Sequence, residues 1–229
     1  ILVKGNKGLY MKNLLLKEFK LCILPINYIF LTFAVILIIP NYPCYVSFFY
    51  LLLNTFWIFK NGDLNKDLQY SLILPIRKSD IVKARIMSVA IYEIVFFILS
   101  IPFAILNHKL VPQGNNAGIN SNFAFYGLVM IVLTISRYFF FTIYYKKAEK
   151  HERALLISFV IFFVLYFIFE CPVWMIKKGN LQSLAFIDKF DWVSLIKQLP
   201  ILITGIIVYF FGWILTYKVS AKNLNRLIF

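Results

Sequence analysis

Six long apolar runs, separated by short polar segments, constrain the fold of this chain more than any other feature. They cover roughly residues 21–39, 44–59, 86–106, 123–144, 154–169 and 198–217. A helix that crosses a bilayer needs about 20 apolar residues, so each run predicts a membrane span. The second and fifth runs are short and would need flanking aromatic residues or a locally thinner bilayer. Because 61% of the 229 residues are hydrophobic, no sizeable soluble domain fits beside the spans.

Lysine and arginine are distributed unevenly among the segments between these runs. If alternate segments are cytoplasmic, eighteen basic residues lie inside and five outside, and Arg137 lies within the fourth run. This asymmetry predicts six spans in a plasma membrane with both termini in the cytoplasm. The net charge of +14 then reflects attraction to anionic lipid and not to nucleic acid.

The chain is expected to form a single membrane domain. Residues 1–10 precede the first methionine, Met11, and are interpreted as an upstream or added extension, which leaves residues 11–229 for the six-span domain. The three cysteines have no metal-binding spacing. A disulfide between Cys44 and Cys171 and two separate buried thiols both remain open.

Two segments outside the apolar runs carry amphipathic or apolar patterns. Residues 12–22 place Leu15, Phe19 and Cys22 on one helical face, which predicts an amphipathic helix on the cytoplasmic surface. Residues 170–197 are too apolar for a solvated loop. They are expected to form short helices that lie on, or dip into, the outer leaflet.

The sequence carries no motif for covalent chemistry. It lacks the GxxxxGK[ST] loop that cradles phosphate, and its two histidines, His108 and His151, lie outside the apolar runs. A metalloprotease or a Ser–His protease within the membrane needs a histidine there. We therefore predict a non-catalytic chain without a metal or cofactor of its own.

The basic loop at residues 60–85 has the pattern of a short helix held between two spans. Gly62 permits a break after the second span and Pro75 ends the following helix, so residues 63–73 are predicted to be helical. Leucines spaced four residues apart line one face of this helix: Leu64, Leu68 and Leu72. Such a ridge suits the groove of a partner protein.

This loop also carries a resemblance to a known family. Residues 70–85, YSLILPIRKSDIVKAR, and the stretch MKNLLLKEFK from Met11 resemble the permease subunits of ABC-2 type transporters. In that family a segment similar to SLPVSRKxIVxAKY follows the second span, and Ile73 is an insertion relative to it. Among small bacterial members, the chain is most similar to the permeases of phenol-soluble modulin exporters.

The resemblance implies an all-α, ABCG-like (type V) exporter fold with an amphipathic N-terminal connecting helix. It also implies that the 60–85 loop docks on a separate ATPase, which holds the ATP and Mg, and that residues 170–197 form outer re-entrant helices. The residues that would form the ATPase-coupling site are Asp63, Leu64, Asp67, Leu68, Tyr70 and Leu72. A second permease copy or sister chain would complete the transporter, and amphipathic or antimicrobial-type peptides would be exported.

Aromatic residues in the second and fifth runs are candidates for the walls of a substrate path. A peptide with an apolar face needs aromatic and aliphatic surroundings. The candidates are Phe49, Phe56, Phe159, Phe163 and Tyr166. The alternative is that these rings pack against lipid or neighbouring helices.

Glu93 and Arg137 are ionisable residues within the third and fourth runs. Each lies seven residues from the cytoplasmic end of its run, or about 10 Å at the rise of an α-helix. Opposite charges at equal depth on antiparallel spans can neutralise each other, which costs less than burying either alone. We predict a direct or water-bridged contact.

Two other functions are compatible with a small six-span protein. One is the substrate-binding membrane component of a vitamin importer. Such a component binds its partners through small residues on its first span. The first apolar run of this chain has Ala34 as its only alanine and has no glycine, which disfavours this function. The other is an intramembrane protease or immunity protein, which the lack of a histidine within the runs disfavours.

Overall fold

The computed structural model describes residues 7–111, 114–146, 151–180 and 182–226, and these residues form helices without a strand. The α-helices are α1 (Lys7–Leu21), α2 (Pro25–Thr32), α3 (Tyr45–Leu64), α4 (Asp67–Ile73), α5 (Lys78–Leu110), α6 (Phe123–Tyr144), α7 (His151–Lys177) and α8 (Trp192–Arg226). Two 3-10 helices follow α2 and α7, at Phe33–Ile38 and Gln182–Asp188. The expectation for residues 1–10 lies largely outside the described part of the chain.

Polar contacts identify two ends of the helical bundle. At one end, the Tyr144 hydroxyl at the close of α6 donates a 2.5 Å hydrogen bond to Asp63 near the close of α3. At the other, the backbone N–H of Asn116 donates to the Asn41 side chain at 3.0 Å. We call these the α4 end and the opposite end. The helices α3 and α6 end at the first of these, and the segments that precede α3 and α6 lie at the second.

Four helices of the described part, α5 to α8, are long and apolar enough to cross a membrane. A fifth crossing is obtained if α1 and α2 with its 3-10 helix, which meet at 81°, are counted as one broken span. The helix α3 is not apolar enough to be counted as a membrane span, because it carries polar residues such as Asn54 and Asn61. However, twelve of its twenty residues are buried. Its polar groups therefore face protein. Four of the six predicted spans are thus confirmed as helices long and apolar enough to cross a membrane, namely α5 to α8. The predicted spans at 21–39 and 44–59 stay predictions.

The first predicted span, 21–39, is not a single continuous helix. Pro25 begins the short helix α2, and the chain then tightens into the 3-10 helix Phe33–Ile38. At the rises of the two helix types, these segments extend about 24 Å, less than a bilayer core. Asn27, which is buried in α2, donates a 2.7 Å hydrogen bond to Asn54 of α3, so this passage is attached to the bundle by polar contacts.

The predicted helix over residues 63–73 is wrong in its extent. The helix α3 continues through Gly62 to Leu64, Lys66 adopts the left-handed backbone conformation with φ 51°, and α4 comprises only Asp67–Ile73. Gly62 does not break α3. A Cβ there would lie 2.9 Å from Nη1 of Arg85, so the glycine makes room for that guanidinium.

The flanking segments also differ from their predictions. Of the predicted face of Leu15, Phe19 and Cys22, Cys22 is buried and Phe19 packs against the core, but the charged Glu18 and Leu14 are buried as well, and Leu15 is only partly buried. In segment 170–197, α7 continues to Lys177 and α8 begins at Trp192, with only the 3-10 helix Gln182–Asp188 between them. No re-entrant α-helix is found among the described residues of this segment.

Helices α6 and α8 approach each other through glycines. A Cβ on Gly127 would overlap the backbone of Ile201, and a Cβ on Gly205 would overlap the backbone of Gly127. Two helical turns further along both helices, a Cβ on Gly212 would overlap the Thr134 side chain. Small residues let membrane helices pack closely, and here they bring α6 and α8 into backbone contact.

Candidate coupling site and buried charge clusters

Four charged side chains from three helices meet at the α4 end. Arg85 of α5 forms an ion pair with Glu18 of α1 through Nε, and its Nη2 lies 2.7 Å from Oδ2 of Asp67 in α4. Lys17 lies 2.8 Å from the other Asp67 oxygen and 3.1 Å from Glu18. We call these four residues the Arg85 network. Two cations and two anions neutralise one another, which offsets the cost of burying them.

The same cluster contains three residues with metal-ligating atoms close together: Glu18, Cys22 and Asp67. However, the Arg85 guanidinium donates to all three, including a 3.0 Å contact to the Cys22 sulfur. A permanently charged guanidinium in this place would repel a metal cation. The set therefore fits an ion-pair cluster and not a metal centre.

The opposite side of α4 is exposed and apolar. Tyr70 is 57% exposed and Ile73 83%. By contrast, Asp67 is buried and Leu68 packs against the core. Leu64, which is 72% exposed, ends α3, and the left-handed turn at Lys66 separates it from Leu68 and Leu72, so the predicted ridge does not form one surface. The exposed apolar surface of α4 is formed by Tyr70 and Ile73, and we call these two residues the α4 surface.

Asp63 contacts other helices instead of facing outward. It accepts a 2.5 Å hydrogen bond from Tyr144 of α6, and its second oxygen lies 3.3 Å from Nδ1 of His151 at the start of α7. Asp63 lies beyond the predicted second span, and burial raises the pKa of its carboxyl, against the opposing effect of the Tyr144 hydrogen bond. Asp63 and Asp67, two residues of the predicted docking site, thus hold α3 and α4 to the bundle.

Glu93 and Arg137 are in direct contact, as their depth predicted, and both are buried. The structure adds two residues of α8 that the sequence did not identify. The Tyr209 hydroxyl donates to Glu93 at 2.7 Å, and the Trp213 ring lies 3.3 Å from the Arg137 guanidinium carbon. The pair therefore joins α5, α6 and α8, and not only two spans. A sequence signal did exist, because Tyr209 and Trp213 lie four residues apart on α8.

The candidate path residues separate into three groups. Phe49 of α3 packs against Phe159 and Phe163 of α7, with ring centroids 4.8 and 5.1 Å apart. Tyr166 instead lies 5.2 Å from the ring of Tyr45. Phe56 is close to His151 at the α4 end, at 6.0 Å. In the first group Phe163 is 43% exposed, so this group reaches the exterior of α7.

A second polar network lies at the opposite end. The backbone and side chain of Asn120 donate to Asp188 at 2.8 and 2.9 Å, and Lys177 lies 3.4 Å from the same carboxylate. Burial raises the pKa of Asp188, and Lys177 opposes this shift. Both oxygens of Glu170 accept from the Ile119 N–H at 3.1 to 3.2 Å. These contacts attach the loop before α6 to the segment between α7 and α8.

The cysteines do not pair in the described part of the chain. Cys44 is free and buried, and Cys171 is free and exposed. The Cys44 sulfur accepts a 3.6 Å contact from the Asn115 amide. Of the two alternatives left open by the sequence, the structure therefore has separate thiols.

A helical bundle with several apolar helices long enough to cross a bilayer defines a multi-pass integral membrane protein. The chain belongs to the ABC-2 family of transporters, because the family model described as "ABC-2 family transporter protein" matches residues 10–222. It is therefore the membrane permease component of an ABC transporter, a class that works with an ATPase partner and is usually dimeric. No curated protein and no solved structure gives a significant match to the chain.

Proposed function

We propose that this chain is the permease subunit of an exporter whose separate ATPase docks on the α4 surface, with the α4 end and both termini in the cytoplasm. The observation that best supports docking at this place is the difference between the two sides of α4. One side is fixed by the buried Asp67, and the other exposes Tyr70 and Ile73. Apolar side chains on a firmly held helix favour binding, because little conformational freedom remains to be lost.

The charge distribution supports this orientation. The segments that meet at the α4 end hold most of the basic residues, and the positive-inside rule places such segments in the cytoplasm. An ATPase must reach cytoplasmic ATP, so a docking surface at this end is the one that a soluble partner meets.

Binding of the ATPase tests the docking proposal. We expect Ile73→Asp and Tyr70→Asp to weaken co-purification with the co-expressed ATPase subunit about tenfold or more, because a charge would be buried in an apolar contact. Leu110→Asp is the matched control, since Leu110 is equally apolar and exposed but lies at the opposite end. Normal binding by both α4 variants, in protein that elutes as the parent does, would contradict the proposal.

We also propose that the chain itself hydrolyses no ATP and that ATP and Mg bind to the partner. The support is the lack of a phosphate-cradling loop in the sequence. The purified permease should show no ATP hydrolysis above that of a mock purification, and activity should appear only when the ATPase is added. Hydrolysis that follows this polypeptide through successive columns would overturn this part of the proposal.

For the substrate we propose amphipathic, helical peptides of the phenol-soluble modulin type. Two observations support this class: the resemblance of the chain to small bacterial permeases of such exporters, and the aromatic group of Phe49, Phe159 and Phe163 that reaches the exterior of α7. An apolar peptide face is accommodated by aromatic walls. A second permease copy or a sister chain would supply the other half of the pathway.

The substrate proposal is tested in liposomes that contain permease and ATPase. A synthetic amphipathic helical peptide should stimulate ATP hydrolysis, and a scrambled peptide of equal charge and composition should not. Phe163→Ala should raise the peptide concentration needed for half-maximal stimulation, whereas Phe210→Ala, on the exposed side of α8, should not. Equal responses to both peptides would contradict the assignment.

A further inference from the structure

Arg85 contacts more separate elements than its role in neutralising charge requires. From α5 it reaches Glu18 of α1 and Asp67 of α4, and its guanidinium carbon lies 5.0 Å from the Phe59 ring of α3. The adjacent Gly62 of α3 leaves space for the guanidinium that a Cβ would take. One planar cation on α5 is thus in contact with α1, α3 and α4.

We infer that Arg85 is the positioning residue through which a displacement of α4 reaches the membrane helices. The inference rests on the proposed docking of an ATPase on the α4 surface. Helix α4 has only seven residues, and its buried side consists of Asp67 and Ser71. Asp67 is held by Arg85 at 2.7 Å, and Ser71 accepts a 2.5 Å hydrogen bond from Lys17.

The position of Arg85 near the start of α5 allows its contact with Asp67 to transmit a displacement of α4 to the rest of α5. Helix α5 has 33 residues, or about 50 Å, and continues from the α4 end to Leu110 at the opposite end, with Pro102 inside its last third. Arg85 lies two turns from its start. Because packed helices shift as rigid elements, a movement of α4 that pulls on Arg85 moves the whole of α5.

The chemistry requires arginine at this position. A guanidinium donates from several N–H groups in one plane, so it can hold Glu18 and Asp67 at the same time. A lysine ammonium at the same place keeps the charge but is a point donor on a flexible stem. Arg85→Lys should therefore keep the charge balance of the Arg85 network but weaken the connection of α5 to α1 and α4.

The test measures motion in the permease–ATPase complex and needs no knowledge of the substrate. Two spin labels are introduced in a Cys171→Ser background, at Gln69→Cys on α4 and at Leu110→Cys on α5, both exposed. Each label is paired in turn with a label on the bound ATPase. Distances are recorded without nucleotide and with a trapped, non-hydrolysable ATP analogue.

In the parent complex, nucleotide should shift both the α4 and the α5 distances. In Arg85→Lys and Arg85→Gln the α4 shift should persist and the α5 shift should disappear. Gly62→Ala, which crowds the guanidinium without changing any charge, should have the same effect. Lys83→Gln removes an exposed cation from the same helix and should leave both shifts unchanged.

The outcomes separate this inference from the proposed function. If the ATPase does not bind the parent, or nucleotide moves neither label, the docking proposal fails and the inference fails with it. If the α5 shift survives in the Arg85 variants, docking stands and the inference is overturned. A purely structural role would lower the melting temperature of the Arg85 variants and reduce both shifts in parallel, which would also overturn it.

Discussion

At the scale of single residues, this protein buries arginines only where carboxylates and aromatic rings meet them. Arg85 is paired with Glu18 and Asp67, and Arg137 with Glu93. Each guanidinium also faces a ring, Phe59 for Arg85 and a tryptophan for Arg137. A ring face attracts a cation without needing to be hydrated itself, which suits sites from which water is excluded.

The Arg137 pair leads to a prediction about stability. Two of the Arg137 nitrogens, Nε and Nη2, have no hydrogen-bond partner, so the charge depends on Glu93 and on the ring of Trp213. Glu93→Gln should lower the free energy of unfolding by about 3–5 kcal/mol, because it leaves a buried cation unpaired. Reversible titration with SDS measures this, and Glu152→Gln, at an exposed acid, is the matched control.

The double variant Glu93→Gln/Arg137→Gln completes a cycle. We expect it to be more stable than the sum of the single losses implies, because the second change removes the charge that the first left unpaired. Additive losses would mean that the contact contributes no coupling energy, and its role in joining α5, α6 and α8 would then be refuted.

At the scale of elements, the packing of α6 against α8 depends on two glycines. Since a Cβ on Gly205 would overlap the Gly127 backbone, the two helices cannot keep their separation if either residue gains a side chain. Backbone atoms cannot rotate out of the way as a flexible side chain can. This contact is therefore more sensitive to size than the one between Gly212 and Thr134.

Gly205→Ala should lower the free energy of unfolding by about 1–3 kcal/mol, the usual cost of overpacking a filled interface. Val193→Ile adds one methyl group to the same helix at an exposed position and should be neutral. The comparison uses SDS titration of both variants. If Gly205→Ala were as stable as Val193→Ile, the close approach of α6 and α8 would be wrong.

Asn122 performs two tasks at the start of α6. Its side-chain oxygen accepts a 3.0 Å hydrogen bond from the Phe125 N–H, which caps the helix, and its amide donates at 2.7 Å to the Ile187 carbonyl. Asn122→Asp should keep the cap and lose the second contact, whereas Asn122→Ala should lose both. We expect Asn122→Ala to cost about 0.5–2 kcal/mol more than Asn122→Asp, the value of a cap.

The aspartate variant isolates the contact to the segment between α7 and α8. Protease cleavage within residues 182–190 should be faster in both variants than in the parent, because each loses the amide donor to Ile187. Cleavage as slow as in the parent would show that the other contacts of this segment hold it without Asn122.

At the scale of the whole molecule, the polar helix α3 lies inside a layer of more apolar helices. Its asparagines contact the bundle, as Asn61 donates to the Asn27 side chain at 3.1 Å and to the Cys22 carbonyl at 3.3 Å, and the Asn54 oxygen accepts from Asn27 at 2.7 Å. A helix with such residues is stable at membrane depth only when neighbouring helices cover it. The fold therefore depends on α2, α5, α6 and α7 assembling around α3.

The proposed orientation gives a prediction for the whole molecule. In a Cys171→Ser background, Asn180→Cys between α7 and α8 should react with a membrane-impermeant maleimide on intact cells. Ile73→Cys on the α4 surface should react only after permeabilisation, since the two positions lie at opposite ends of the bundle. Cys22 and Cys44 are buried and serve as unreactive internal controls. If instead Ile73→Cys reacted on intact cells and Asn180→Cys only after permeabilisation, the α4 surface would lie outside the cell, which would contradict the docking proposal.

The sequence alone determined that the chain is a helical membrane protein, because long apolar runs have no other stable form in this composition. It also predicted the Glu93–Arg137 contact, since depth along two antiparallel helices follows from residue counts alone. Both inferences rest on local periodicity and length, which are properties of the chain before it packs.

Only the tertiary structure decided which face of each element is buried. The resemblance assigned Asp67 to the surface that docks on the ATPase, but Asp67 begins α4 directly after the left-handed turn at Lys66, and its carboxylate lies on Arg85. The Arg85 network joins residues 67 positions apart, a separation at which no periodicity carries information. The close contact of Gly127 with Gly205 arises in the same way, because the space that a glycine must leave is set by the helix packed against it.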